Sequence, residues 1–369
     1  MPIPLKKLPL LIQIEICKQS SYADLVKLSI TNAKVCNLIK TVKRKAVATK
    51  YSIVENKMIV DIELFSQLKR TRLVSMEGVD GFEDHSEDKA MRLGDWNGVC
   101  RVEIQEENGE EYMKISHERL HKNAAQTALF KHLQSLFLYW HFPHIDIPSV
   151  NELENLSEFD KTIEVSHIRG EIIEMETLDK FYTKYPYQNC TIIHPAINGD
   201  LYDYPNLFGF SNLHLSNSGD LAPKLLSYFN GRVLYLQKAN LTLEDIYEFL
   251  KRWASNEEHQ NIEFLFIQTE KCMWIPTLDM APLQIFQDLN MKPFDPKRRS
   301  NRFPFHKNIS RYYVSKEIIT ENYDGPGGSL VCDDFQDITR TGDNQLASVF
   351  VTPVFLMFCV WKEPLPSSQ

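Results

Sequence analysis

The chain has 369 residues, of which 43% are hydrophobic and 24% charged, and this balance excludes wholesale disorder. Its net charge of -8 at pH 7 disfavours a general nucleic-acid binder, because such proteins need basic surface to release the counterions of the phosphate backbone. The seven cysteines are scattered and never spaced as C-x-x-C, so we expect free thiols in a reducing compartment instead of zinc or disulfide frameworks.

The N-terminal part of the chain predicts three short amphipathic helices. Pro9 fits the start of the first helix, because the first helical N–H lacks an intrahelical partner and proline has no N–H to lose. Ile12 and Ile16 would share a face, since residues four apart on a helix are neighbours. A signal peptide is disfavoured, because Gln13 and Glu15 interrupt the apolar stretch.

The second and third helices follow directly. Leu25 and Leu28 lie three positions apart in the second helix, and a unit this small should present some apolar faces to another surface or protein. In the third helix the apolar residues recur at i, i+3, i+4 and i+7, namely Val35, Leu38, Ile39 and Val42. The candidate capping residues are Ser20 or Ser21 for the second helix and Thr31 or Asn32 for the third.

The next part of the chain predicts strands. The sequence from Cys100 to Ser116 alternates around Asn108-Gly109, which favours a hairpin with a type I′ turn because both central residues tolerate a positive φ. The acidic stretch from Glu77 to Asp95 is interpreted as a mobile loop. A helix that reaches about Trp140 is expected to bury Ala128, Leu129, Leu133, Leu136 and Phe137.

The string HERLH, from His117 to His121, matches the H-E-x-x-H pattern of zinc metalloproteases. In that class two histidines project from one helix face onto zinc, and the glutamate activates the metal-bound water. Here the string follows a predicted strand, and no downstream pattern supplies a third ligand. The preferred interpretation is a pair of exposed histidines at a helix start, with a zinc metalloprotease through residues 117–121 as a minor alternative.

From about residue 141 onward, short apolar strands alternate with helical segments. Thr242 and Asp245 can cap the clearest of these helices. Units of this period resemble leucine-rich repeats, and a Rossmann-like parallel sheet is the alternative, although no strand is followed by G-x-G-x-x-G. The candidate strands begin near Ile163, Cys190, Asn212, Arg232 and Ile262.

The closing segment from Leu346 to Trp361 predicts a buried strand pair, because it is short for a bilayer span and contains Pro353. The basic runs 43–45 and 297–299 are interpreted as solvated faces. The expected fold class is α+β or α/β, with a small helical module followed by an irregular leucine-rich-repeat-like α/β domain that ends in a β-hairpin. The expected domains are residues 1–48, a strand-rich region over 49–140, and residues 141–369.

The N-terminal helices resemble an F-box. The segment LPLLIQIEI, from Leu8 to Ile16, looks like the Leu-Pro-plus-apolar first helix of that module, and YADLVKLSITNAKVCNLI, from Tyr22 to Ile39, follows it. The resemblance implies that a Skp-type adaptor contacts Leu8, Pro9, Ile12, Ile16, Leu25 and Leu28.

Two later segments are similar to the large nematode-type F-box proteins that carry an F-box-associated type 2 domain. The first, ANLTLEDIYEFLKRWASNEEHQNIEFLFI from Ala239 to Ile267, looks like a helix of that family ending in F-L-K-x-W and followed by a strand. The second, DFQDITRTGDNQLASVFVTPVFLMFCVW from Asp334 to Trp361, is similar to its closing D-I-x-R-x-D-G-x-x-A segment and aromatic strand. The matching positions are Asp337, Ile338, Arg340, Ala347 and Trp361.

The resemblance implies a substrate-recognition subunit of an SCF-type (Skp–cullin–F-box) ubiquitin ligase. The adaptor, and through it the cullin, would hold the N-terminal helices, while the C-terminal domain would bind an unknown target protein. Such a subunit has no catalytic residues and no cofactor, and it acts by raising the local concentration of target lysines beside activated ubiquitin. The resemblance also implies a cytoplasmic or nuclear protein without membrane or nucleic-acid partners. A non-degradative F-box scaffold is the alternative.

Overall fold

The computed structural model describes residues 5–64, 67–81, 89–93, 96–139, 143–153, 156–157, 159, 163–200, 205–273, 285–304 and 329–362. The chain divides into two compact units. The first unit comprises Met1–Gly170 and Phe181–Gln188, and the second comprises Glu171–Lys180 and Asn189–Gln369. Among the described helices, none combines the length and the apolar character that crossing a bilayer requires.

The helices of the described residues are numbered in chain order. They are α1 (Leu10–Gln19), α2 (Tyr22–Thr31), α3 (Ala33–Val42), α4 (Lys122–Leu136), α5 (Met175–Lys184), α6 (Ala222–Tyr228) and α7 (Leu243–Ala254).

The strands of the first unit are β1 (Lys45–Ala46), β2 (Ala48–Val54), β3 (Lys57–Leu64), β4 (Gln67–Val79), β5 (Lys89–Leu93), β6 (Trp96–Glu107), β7 (Glu110–Glu118), β8 (Leu138–Tyr139), β9 (His144–Ile147) and β10 (Val165–Ile168). The strands of the second unit are β11 (Ile172–Glu174), β12 (Cys190–Ile193), β13 (Ala196–Asn198), β14 (Asn212–Leu215), β15 (Val233–Ala239), β16 (Phe264–Thr269), β17 (Lys292–Pro293), β18 (Arg302–Pro304), β19 (Ser329–Val331), β20 (Gln336–Thr339), β21 (Leu346–Val351) and β22 (Phe355–Val360).

The main sheet of the first unit has the strand order β10-β9-β2-β3-β4-β7-β6-β5. Strand β3 shows why these segments are strands, because Met58, Val60 and Ile62 are buried while the residues between them are not. Strands β2, β3 and β4 form an antiparallel meander. Strand β9 pairs in parallel with both β2 and β10, and β4 pairs in parallel with β7. The sheet is therefore mixed.

The predicted hairpin is confirmed between β6 and β7. Glu107 pairs with Glu110, and Asn108 and Gly109 have φ angles of 55° and 78°. Positive φ at both central residues is the signature of a type I′ turn. The predicted helix after the hairpin corresponds to α4, which ends at Leu136.

The interpretation of residues 77–95 as one loop is wrong in part. Residues 77–79 complete β4, and residues 89–93 form β5, which pairs with β6. Acidic residues are uncommon in strands, so the local sequence does not predict a strand here. The strand forms because a partner strand pairs with it. Residues 82–88 and 94–95 lie outside the described part of the chain.

The second unit contains four parallel strands in the order β12-β14-β15-β16, which is also their order along the chain. The strands predicted near Cys190, Asn212, Arg232 and Ile262 are thus confirmed, and β10 in the first unit confirms the one near Ile163. Antiparallel strands continue the sheet in the order β22-β21-β20-β17. Helices and a mixed sheet together confirm the coarse fold class, α+β or α/β.

Helix α7 and the closing strands match their predictions closely. Thr242 and Asp245 form a reciprocal capping box at the start of α7. Strands β21 and β22 form the predicted antiparallel hairpin. The buried stripe of α7 consists of Ile246, Phe249, Leu250 and Trp253.

His132 makes the stability of the first unit depend on pH. The side chain is buried, its Nε2 lies 2.8 Å from the Ser29 hydroxyl, and burial lowers its pKa to about 4. As pH falls below about 6.5 the unfolded chain takes up the proton first, so stability present above pH 6.5 is lost progressively down to about pH 4. Between pH 6.5 and about pH 4, we expect protonation of this group to lower the free energy of unfolding by about 3 kcal/mol.

Denaturant unfolding at pH values between 7 and 4 measures this effect. We expect His132→Gln to flatten the decline, whereas the exposed-site control His121→Gln should leave it unchanged. If the free energy of unfolding fell with pH equally in wild type and in His132→Gln, His132 would not be the group responsible.

Candidate functional site

Helix α1 carries an exposed apolar face. The exposed fractions of its side chains are 63% for Leu10, 77% for Leu11, 47% for Ile12 and 37% for Ile16. Large apolar side chains scattered singly are common on protein surfaces, but a contiguous group marks an interaction site. These four residues lie within about two turns of one helix and form a contiguous group.

The sequence at the start of α1 explains why this face stays outside. Pro9 precedes the helix as its N-terminal cap, and the Gln13 side chain donates a 2.7 Å hydrogen bond to the carbonyl of Leu8. Cys17 is the side chain of α1 that is buried. Because the helix is anchored through Cys17, the Leu11 side faces away from the core.

A shallow groove of about 350 Å³ runs along this face. Three aliphatic residues line it together with Glu15 and Gln19, and the Glu15 carboxylate pairs with Lys18. A groove of this kind fits apolar side chains of a partner better than a charged ligand. The lining residues are Leu11, Ile12, Glu15, Ile16 and Gln19.

The structure separates the six predicted adaptor-contacting residues. Leu8, Pro9, Ile12 and Ile16 lie at the start of α1 or along it, where Leu8 is half-buried and the other three are exposed. Leu25 in α2 has no exposed surface, and Leu28 is half-buried. The α1 residues are therefore accessible from solvent, except that Leu8 is half-buried, while Leu25 belongs to the core.

Sequence reasoning missed Leu10 and Leu11, which have the largest exposed fractions among the large apolar residues of α1. The available signal was the unbroken apolar run from Leu8 to Ile12, which is wider than one helix stripe. A run that covers more than one face must expose part of itself when the helix packs on one side.

Helices α2 and α3 pack against each other, and α3 also contacts α1. Ser21 caps α2 by accepting a hydrogen bond from the backbone N–H of Asp24, and Asn32 caps α3 by accepting bonds from the N–H groups of Lys34 and Val35. These caps confirm two of the residues proposed from the sequence. The buried side chains of α3 include Val35, Leu38 and Ile39, as its periodicity predicted.

The HERLH string does not form the helical arrangement that a zincin requires. His117 is the penultimate residue of strand β7 and is fully buried. Its Nδ1–H donates a 2.7 Å hydrogen bond to the Glu118 carbonyl. His121 lies in a 3-10 turn, is half-exposed, and contacts the Glu118 carboxylate at 3.5 Å. The two imidazoles thus come from different elements and environments. In the described part of the chain, no group of three or more His, Cys, Asp or Glu side chains is placed to hold a metal ion.

The expectation of two exposed histidines is wrong for His117. Strand β7 continues through Glu118, so alternation turns His117 towards the core. The string contains no information about the element that carries it. Desolvation lowers the pKa of His117, so its imidazole is neutral at pH 7.

A buried polar network holds together the closing strands of the second unit. Asp337 accepts hydrogen bonds from Arg299 Nε at 2.6 Å and from Ser348 Oγ at 2.8 Å. Trp361 Nε1 in turn donates to Ser348 Oγ at 2.8 Å. The Arg299 guanidinium also donates to the Cys332 carbonyl and lies 5.1 Å from the centre of the Trp361 ring. The interpretation of 297–299 as a solvated face is therefore wrong for Arg299, which is buried.

Arg340 organises the turn between β20 and β21. Its guanidinium pairs with Asp343 at 2.6 Å and lies 5.2 Å from the centre of the Trp253 ring. The hydrogen bond from Arg340 lowers the pKa of Asp343. Gly342 has a φ of 91°, a conformation that favours glycine. Arg340, like Asp337 and Trp361, thus has a structural role in the second unit.

An uncharacterized protein of Caenorhabditis elegans is 20% identical to the chain over 329 residues, which are 88% of this chain and 73% of that protein. No family model and no solved structure matches the chain.

Proposed function

We propose that the protein is the substrate-recognition subunit of an SCF-type ubiquitin ligase. In this proposal the exposed face of α1 binds a Skp-type adaptor and thereby the cullin. The observation that carries it is the group of exposed aliphatic side chains on α1, at the positions where an F-box offers its first helix. Apolar helix faces of this size bind partners by filling pockets with a few anchor residues.

The second unit is proposed to hold the target protein. Strands β12, β14, β15 and β16 are parallel neighbours in chain order, which supports a leucine-rich-repeat-like arrangement because each repeat adds one strand beside the last. The proposed contribution of this subunit is proximity between target and activated ubiquitin.

Capture of the adaptor tests the proposal. We expect the purified wild-type chain to capture a Skp-type adaptor together with a cullin, and the double variant Leu11→Ala/Ile12→Ala to lose it. Anchor residues of an apolar interface cost about 2 kcal/mol each, so the two changes together weaken binding roughly a thousandfold. Both side chains are exposed, so the fold should survive.

The matched control is Leu120→Ala/Ile172→Ala, which removes one exposed leucine and one exposed isoleucine elsewhere. Equal capture of the adaptor by the α1 variant and by the control would contradict the proposal that α1 binds the adaptor. A bound partner whose level does not rise after proteasome inhibition would instead favour the scaffold without degradation.

A further inference from the structure

A carboxylate lies within the exposed apolar face of α1. The Glu15 side chain helps to line the groove, together with Leu11, Ile12, Ile16 and Gln19. Because a helix turns by about 100° per residue, Glu15 falls about 40° from Leu11 and about 60° from Ile12 around the helix axis. It therefore lies between these two aliphatic side chains. A partner that covers both of them must cover Glu15 as well.

The charge of Glu15 is only weakly compensated within the chain. Its Oε1 lies 2.7 Å from Lys18 Nζ, and the Glu15 side chain is 60% exposed. An exposed ion pair of this kind contributes little, because water already solvates both charges. Lys18 is not among the residues that line the groove, so a partner seated there covers the carboxylate first. A carboxylate that is removed from water needs a cation or hydrogen-bond donors inside the contact.

We propose that Glu15 selects the partner of α1, and that this partner presents a lysine or arginine within an apolar ridge. The cation pairs with the Glu15 carboxylate, while apolar side chains beside it contact Leu11 and Ile12, which line the groove. A ridge without the cation would desolvate the carboxylate without compensation, so such partners are rejected. That the ridge belongs to a Skp-type adaptor rests on the proposed function, whereas the requirement for a cation follows from α1 itself.

Charge disfavours a second copy of the chain as the occupant of this groove. Two α1 helices packed groove to groove about a two-fold axis would bring both Glu15 carboxylates into the same contact. Like charges that face each other in a contact repel, and burial strengthens the repulsion. An adaptor ridge with a central cation has the complementary charge.

The Glu15→Gln variant tests the proposal, because the sign of its effect on adaptor affinity separates the two cases. The purified full chain and a purified Skp-type adaptor are compared by biolayer interferometry, which measures association and dissociation rates. If the adaptor supplies a cation, the variant leaves that cation buried without its counter-charge, so affinity should fall at least about tenfold, mainly through faster dissociation. If the adaptor supplies none, the neutral amide loses water more easily than the carboxylate, and affinity stays equal or rises.

The Lys18→Gln variant shows which cation neutralises Glu15 in the complex. If the adaptor supplies that cation, removal of the Lys18 charge should change adaptor affinity by no more than about threefold. A loss as large as that of Glu15→Gln would mean that Lys18 itself neutralises the carboxylate, and would overturn the proposal.

Glu176→Gln is the matched control. Glu176 pairs with Lys180 at 2.9 Å on α5, both side chains are 66% exposed, and the change should leave adaptor affinity within about twofold. Equal or tighter binding by Glu15→Gln, or an equal loss in the control, would overturn the proposal and leave the adaptor assignment standing. So would a dimer of the wild-type chain in light scattering that Leu11→Ala/Ile12→Ala dissolves. Absence of adaptor binding by wild type would instead overturn the proposed function, and this inference with it.

Discussion

Asp337→Ala should lower the free energy of unfolding of the second unit by about 3–5 kcal/mol. The change removes the carboxylate that pairs with Arg299 at 2.6 Å and leaves a buried guanidinium without its counter-charge. It also removes the acceptor of the Ser348 hydroxyl. Denaturant unfolding followed by tryptophan fluorescence reports the loss, since Trp253 and Trp361 both lie in this unit.

Glu258→Ala is the matched control. Glu258 also pairs with an arginine, Arg252 at 3.0 Å, but both side chains are well exposed, so we expect a loss of at most about 1 kcal/mol. Asp337→Asn separates charge from shape, because the amide oxygen can still accept from Ser348. A loss for Asp337→Ala no larger than that for Glu258→Ala would show that the network does not stabilise the unit.

Leu25→Ala should destabilise the first unit by about 2–5 kcal/mol, because it opens a cavity at a side chain that has no exposed surface. Leu11→Ala should change the free energy of unfolding by less than about 0.5 kcal/mol, because its side chain is mostly in water. Thermal and denaturant unfolding of the two single variants measure this contrast.

Adaptor capture is expected to follow the opposite order. Leu11→Ala should weaken capture about thirtyfold without losing stability, whereas Leu25→Ala should retain capture at temperatures where it stays folded. Loss of capture by a folded Leu25→Ala variant, with Leu11→Ala unaffected, would place the adaptor on α2 instead of α1.

Local signals in the sequence predicted much of the fold. Ser21, Asn32 and Thr242 cap helices, and the turn at Asn108-Gly109 joins two strands, because each of these features depends on a few neighbouring residues. Periodicity also located the strands of the second unit, since apolar runs of that length bury well in a parallel sheet.

The candidate site was predicted less completely. Periodicity shows that Leu25 and Leu28 lie on one stripe but not whether that stripe meets the core or a partner, and the structure buries Leu25. The pairing of Arg299 with Asp337 spans 38 positions, and nothing local to either residue indicates it. His117 likewise depends on how far β7 extends, which the neighbouring strands decide.

The strand order has a consequence for how each unit folds during synthesis. In the first unit, β2 cannot pair with β9 until β9 has been synthesised. The Ser52 hydroxyl of β2 donates to the Asp146 carboxylate of β9, which lies 94 positions later in the chain. In the second unit, neighbouring parallel strands are joined by short connections, and Arg232 contacts Glu263 only 31 positions later. Long-range pairing closes slowly because loop entropy is lost before contacts form. The edge of β2 that faces β9 therefore stays unpaired in the nascent chain until β9 has been made, whereas β14, β15 and β16 can each pair with the preceding parallel strand soon after synthesis.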